Sequence, residues 1–180
     1  MAKLPILIAP NPTLKKVAKP VEKVDDDIRA LMDDMLETMY DAPGIGLAAP
    51  QVGDLRRILV IDCAREGEEP QPIRMANPEI LERSEQMVTG EEGCLSLPDI
   101  FADVTRPDAV RVRYLDHENE IREMEAEGML ATVIQHEVDH LNGILFVDHL
   151  SSLKRNMLMR KLAKMRQKKG GKVSQKEAAV

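Results

Sequence analysis

Apolar residues recur along this chain in two different periods, and the switches between them mark its elements. Over residues 25–41, Ile28, Leu31, Met32, Met35, Leu36, Met39 and Tyr40 keep the i, i+3, i+4, i+7 spacing of a helix with one apolar stripe. Asp25, Asp26 and Asp27 offer caps and favourable charge at its start, and Pro43-Gly44 ends it. A second helix is predicted over residues 128–142, closed by Gly143 where a left-handed cap belongs. A third begins at Ser151 or Ser152 and runs to about residue 168. Between the first two helices the period shortens. Residues 57–62 read as a short buried strand, and residues 73–81 and 84–90 as further strands with a turn at Asn77-Pro78. Val110, Val112 and Tyr114 alternate with Arg111, Arg113 and Leu115. Residues 116–119 carry turn chemistry, so 120–126 should pair back as a hairpin. Pro5, Pro10, Asn11, Pro12 and Pro20 make the N-terminal stretch an extended arm with turns.

Composition narrows what these elements can serve. The 180 residues show no internal repeat and no linker, which fits one domain over residues 1–168 followed by a frayed tail, 169–180. Aromatic residues are only 2% of the chain, too few for base-stacking platforms, and eleven methionines take their place as adaptable core fillers. No apolar run approaches the ~18–20 residues of a membrane span, and no leader pattern is read at the N-terminus. Cys63 and Cys94 do not make a disulfide framework, so a reducing cytoplasm is expected, with neither membrane nor DNA as partner. Charge is divided unevenly. Residues 149–180 hold ten Lys/Arg against one acid, while residues 1–148 hold fifteen against thirty. An acidic body with a basic tail suggests either two surfaces with two jobs or simply a solvated helix face.

The strongest chemical signal is His136-Glu137-Val138-Asp139-His140 in the second helix. Residues four apart share a helix face, so both imidazoles can reach one ion, and Glu137 lies where it can take a proton from water. A catalytic site of this kind normally has a third protein ligand. Downstream, Phe146 stands where one known spacing would need a histidine, Asp148 and Glu177 are poorly placed, and His149 fits no known spacing. The search therefore moves upstream to Cys94, in the polar, glycine-bearing run Glu-Glu-Gly-Cys-Leu-Ser-Leu-Pro at 91–98. A thiolate is a strong ligand for a borderline-soft ion. Cys63, inside the predicted strand region, reads as a small buried hydrophobe. A third stretch, Gly44-Ile45-Gly46-Leu47-Ala48-Ala49-Pro50-Gln51, follows a helix rather than a strand and lacks the Lys-Ser/Thr of a phosphate loop. Its glycines allow close backbone approach, and Gln51 offers an amide to a developing oxyanion.

These three stretches in this order resemble the peptide deformylase family, in its bacterial type with a basic C-terminal helix. The family's motifs are a Gly-apolar-Gly-apolar-Ala-Ala-x-Gln loop, a Glu-Gly-Cys-apolar-Ser segment and a His-Glu-apolar-Asp-His helix. They match residues 44–51, 92–96 and 136–140 without departure. The resemblance implies an α+β fold with small antiparallel sheets around the metal-binding helix. It implies hydrolysis of the formyl group from the N-terminal formylmethionine of nascent polypeptides. Cys94, His136 and His140 would hold the ion, Fe²⁺ in the cell with Zn²⁺, Ni²⁺ or Co²⁺ able to substitute. Glu137 would be the general acid/base, and Gln51 with the Leu95 N–H would meet the oxyanion. The backbone of Ile45 and Gly46 would pair with the substrate. Met129 and Val133, up to two turns before the metal residues, are candidate walls of the methionine pocket or ordinary core. Arg106 is a candidate partner for Glu92. In one respect the chain departs from some members. Residues 99–103, expected as a loop, carry no base where those members contact the peptide with an Arg. The basic helix, with Leu150, Leu153, Met157, Leu158, Leu162 and Met165 as an apolar stripe, would contact ribosomal RNA. The competing readings are a zinc endopeptidase, which lacks its downstream ligand here, and a metal-stabilised binding module.

Overall fold

The computed structural model describes residues 2–178, with side chains described as far as residue 169. Its helices are α1 (Asp26–Asp41), α2 (Gly128–Leu141) and α3 (Ser152–Ala178). Its strands are β1 (Gly46–Ala48), β2 (Ile58–Ile61), β3 (Ile73–Arg83), β4 (Met87–Cys94), β5 (Leu97–Pro107), β6 (Ala109–Leu115) and β7 (Ile121–Glu127). The fold is α+β. An antiparallel sheet runs β1-β2-β3-β6-β7, and β4 and β5 form a separate hairpin.

β2 shows how the core is divided. All four of its residues are buried, and alternation sends them to opposite faces of the sheet. Ile58 and Val60 join Met32, Met35 and Met39 of α1 on one face. Leu59 and Ile61 join Ile134, Val138 and Leu141 of α2 on the other. α1 begins as its aspartates predict, with the Asp25 carboxylate accepting from Ile28 N–H at 3.0 Å. α2 ends as predicted too. Gly143 has φ of 73°, and a Cβ there would sit 2.4 Å from the Lys15 carbonyl oxygen.

Three expectations need correction. Asn77-Pro78 does not turn the chain back. β3 is continuous through it, with a bulge against β6 and Asn77 at φ 50°. The Asn77 amide exchanges hydrogen bonds with the Val21 backbone, so it pins the N-terminal arm to the sheet. The next strand accordingly starts later, at Met87 rather than residue 84. Residues 99–103 are not a loop but the body of β5, whose inward positions are Ile100, Ala102, Val104 and Arg106. An arginine and an alanine on the inward face hid this strand's alternation. The apolar stripe of α3 also differs. Leu153 is 82% exposed and Met157 58%, while Leu158, Leu162, Met165 and the unforeseen Met159 pack on the hairpin core. α3 is drawn to Ala178, past the expected end near residue 168. The tail expected to fray, 169–180, falls mostly outside the described side chains, and residues 179–180 outside the described residues altogether. The N-terminal arm is extended but for one short 3-10 turn, Pro12–Lys15, capped by Asn11.

Candidate metal centre and active site

α2 lies across the sheet with its C-terminal half facing the β4–β5 hairpin. His136 and His140, four apart, turn their rings toward the same spot, with centroids 5.0 Å apart. β4 ends there at Cys94, whose sulfur lies 3.3 Å from His140 Nε2. One donor atom from each of Cys94, His136 and His140 falls within 4.8 Å of the other two. Among the described residues this is the one such group. Cys63 packs at the edge of the sheet core, away from it, and His149 instead meets Asp139 at 2.8 Å.

His136 is fixed by partners, whereas the buried Nδ1 of His140 has none. Along β4, Glu92 stands two residues before Cys94, across a shift in the β4–β5 register, and each reaches one of the two α2 histidines. Glu92 Oε1 accepts from His136 Nδ1 at 3.0 Å, which leaves Nε2 to face the cleft. Arg106 on β5 grips Glu92 with two bonds, at 2.7 and 3.0 Å, and reaches Asp139 of α2 at 2.9 Å. The Glu92–Arg106 pairing read from the sequence is therefore present and buried. It ties helix and hairpin together. Strand alternation could have pointed to the Glu92–His136 contact. Asp139 carried no signal, because its partners come from β5 and the turn after α2.

Glu137 is 3% exposed, and its Oε2 has no hydrogen-bond partner. Its other oxygen lies 4.0 Å from His136 Nε2. β1 makes room for it. A Cβ on Gly46 would come within 2.6 Å of Glu137 Oε1 and 2.9 Å of Val133 Cγ1, so this close approach requires glycine. After β1 the chain folds into a short turn that turns Gln51 inward. Gln51 Oε1 accepts from Ala48 N–H, and its Nε2 donates to Ser96 Oγ at 3.1 Å and lies 3.6 Å from the Cys94 sulfur. The N-terminal arm staples both loops. Leu7 N–H donates to the Gln51 carbonyl and Ala9 N–H to the Ser96 carbonyl, contacts with no sequence signal.

These groups open into a cleft of about 720 Å³ lined by Ile45, Gly46, Leu95, Met129, Val133 and Glu137 among others. Met129 and Val133 therefore both reach the cleft, Met129 largely exposed and Val133 buried. β1 forms the edge of the large sheet. The Ile45 carbonyl accepts from Asp62 N–H inside the sheet, so alternation turns the Gly46 N–H and C=O to the open side.

A family model, polypeptide deformylase, matches residues 3–156. This chain belongs to the polypeptide deformylase family. It is accordingly a metal-dependent hydrolase of the N-terminal formamide bond of nascent polypeptides. A peptide deformylase of Mesorhizobium japonicum is 58% identical over 89% of this chain and 92% of its own. The crystal structure of a peptide deformylase from Ehrlichia chaffeensis superposes with a TM-score of 0.89 at 40% identity, covering 93% of this chain and 99% of that one. A Met-Ala-Ser-bound peptide deformylase from Acinetobacter baumannii superposes with a TM-score of 0.78 at 40% identity, covering 83% and 99%. The comparisons lend no support to an endopeptidase. No described helix is long and apolar enough to cross a membrane.

The electrostatics suit the donor set of a family metalloenzyme. Burial opposes charge on both imidazoles. At His136 the Cys94 sulfur, Glu92 and Glu137 outweigh it and hold the pKa well above its ordinary value. At His140 burial is reinforced by His136 and Arg106, and the pKa lies well below. A thiol and two imidazoles suit a borderline-soft divalent ion. Burial pushes the Glu137 carboxyl up to about 7, which poises it to take or give a proton near neutrality.

Proposed function

We propose that Cys94, His136 and His140 hold the ion, Fe²⁺ in the cell with Zn²⁺, Ni²⁺ or Co²⁺ able to replace it. The observation that carries this reading is the convergence of three soft and borderline donors beside the buried, unpartnered oxygen of Glu137. When bound, the ion supplies Lewis-acid chemistry, acidifying water and polarising the formyl carbonyl. The protein's own groups do the rest. Glu137 takes the proton from the attacking water and later delivers it to the leaving amine, releasing formate. The Gln51 amide, aligned by Ala48 and Ser96, and the Leu95 N–H donate to the oxyanion.

The substrate chain pairs with the β1 edge, chiefly through the outward N–H and C=O of Gly46, with the exposed Ile45 side chain beside it. Met129 and Val133 wall the methionine side chain. A formyl carbon bears only hydrogen, so the space left by Gly46 and Glu137 can exclude an acetyl group. The Met-Ala-Ser seen in the Acinetobacter baumannii relative fits a cleft of this kind. α3 contacts ribosomal RNA through its exposed bases, and the protein works in the cytoplasm.

Formate release from formyl-Met-Ala-Ser by the metal-replete protein tests the reading, with acetyl-Met-Ala-Ser as the control. The free amine of Met-Ala-Ser, which either hydrolysis would liberate with formate or acetate, is expected from the first substrate alone, and its equal appearance from both would overturn the steric argument. Cys94→Ser should sharply lower metal content, and Cys63→Ser should not. Unchanged thiolate-to-metal absorption in cobalt-loaded Cys94→Ser would remove Cys94 from the ligand set.

A further inference from the structure

An unbroken chain of hydrogen bonds leads from the metal group to the surface. His136 Nδ1 donates to Glu92 at 3.0 Å. Arg106 bridges Glu92, at 2.7 and 3.0 Å, to Asp139 Oδ2, at 2.9 Å. The same Asp139 oxygen accepts from His149 Nε2 at 2.8 Å. An imidazole therefore stands at either end, one beside the cleft and the other at the surface. Side-chain exposure rises outward, from 7% at Glu92 and 6% at Arg106 to 19% at Asp139 and 36% at His149.

The local fold presents His149 to this chain. Phe146–His149 is a 3-10 turn, in which side chains three apart eclipse, so Phe146 and His149 both face α2. The Phe146 ring stacks on His136, with centroids 6.1 Å apart and planes at 25°. His149 reaches Asp139, three residues further along the helix. Asp148 pins the turn, accepting from the Leu145 N–H at 2.9 Å and pairing with Lys15.

The charges along the chain are unequal. Two carboxylates share one guanidinium, which gives two of its donors to Glu92 and one to Asp139. Were Asp139 to swing out to water, the whole guanidinium would fall to Glu92. A carboxylate neutralised in that way accepts less strongly from His136 Nδ1, and an imidazole held less firmly at Nδ1 is a poorer metal ligand at Nε2. Asp139 is the first member of the chain exposed enough to move, and His149 is the second group that holds it. We propose that His149 is a positioning residue for the metal centre: by keeping Asp139 on Arg106 it sets how firmly Glu92 grips His136, and so how tightly the ion is retained. It touches no reacting atom. The inference rests on the assignment of His136 as a ligand above.

The test is the rate at which the cobalt-loaded protein loses its metal to a chelator, read beside its visible absorption. Partners one contact from a ligand are worth about 10–100-fold in metal affinity, and His149 acts at a greater remove, so His149→Ala should speed the loss by about three- to tenfold and shift the cobalt bands. His149→Gln, whose amide can still donate to Asp139, should return the rate to within about twofold of wild type. His117→Ala, at a histidine outside the chain, should change neither reading. In an Asp139→Asn background His149→Ala should add nothing further, because both substitutions act through one contact. Additive effects in that double variant would overturn the inference. So would a wild-type rate and spectrum in His149→Ala, or equal losses in His149→Ala and His149→Gln. Unchanged cobalt content in His136→Ala would instead overturn the ligand assignment, and this inference with it.

Discussion

α2 and α3 both carry charged side chains, yet they meet opposite demands. α2 is enclosed by the sheet and the hairpin, and its polar groups answer to other elements, although Glu137 Oε2 has no hydrogen-bond partner. His136 answers to Glu92, Asp139 to Arg106 and His149, and Glu137 to the gap that Gly46 leaves. α3 touches the body along one strip around Leu162 and turns Lys161, Lys164 and Lys168 to water. A charge taken out of water needs a partner, whereas one left in water needs none. Substitutions in α2 should therefore be costly and specific, and substitutions on the outer faces of α3 nearly silent for folding.

The sharpest break in this comparison is Glu137→Gln. It keeps the shape of the side chain and removes the proton acceptor, so deformylation should fall by ~10²–10⁴ with metal content preserved. Wild-type turnover in a metal-replete sample would remove Glu137 from the mechanism. Arg106→Ala comes next. It strands Glu92 and Asp139 in the interior, and breaking a buried pair of this kind costs about 3–5 kcal/mol. Urea unfolding beside Arg160→Ala, expected to lie within about 0.5 kcal/mol of wild type, measures the contrast directly.

A third test stays inside α3. Leu162 is 1% exposed, and Leu162→Ala should cost about 2–5 kcal/mol, while Leu153→Ala should cost almost nothing. Equal effects would mean the helix is not docked as described. For the same reason, deleting residues 150–180 would expose the hairpin core as well as remove charge. Ribosome co-sedimentation is better tested with Lys161, Lys164 and Lys168 changed together to Gln. Weaker, less salt-sensitive binding with unchanged activity on short formyl-peptides is the expected result.

The smallest effect concerns acid. Burial would raise the Glu92 pKa, but bonds from His136 and Arg106 outweigh it and hold the value at about 2. A depressed folded value means the contribution to stability is fully present above the ordinary carboxylate pKa and is lost as pH falls toward 2. Acid unfolding of wild type should therefore show a steeper loss between about pH 4 and 2 than Glu92→Gln does. Parallel curves would show that the carboxylate is not held in this way.

What the sequence alone determined is local. The helix stripe of α1, the Asp25 cap, the Gly143 stop and the β6–β7 hairpin are each written within a few residues, because periodicity and turn chemistry act over one or two turns of chain. The His136–Glu137–His140 spacing is of the same kind, and its order relative to the Gly44–Gln51 and Glu92–Ser96 stretches carried the family. Tertiary structure decided what depends on residues far apart. Whether Asn77-Pro78 turns the chain or bulges a strand depended on β6 lying alongside both halves. β5 escaped notice because Arg106 faces inward, a placement made tolerable only by Glu92 and Asp139 from other elements. The docked strip of α3 was set by where the hairpin core leaves an apolar patch, which no helical spacing can report.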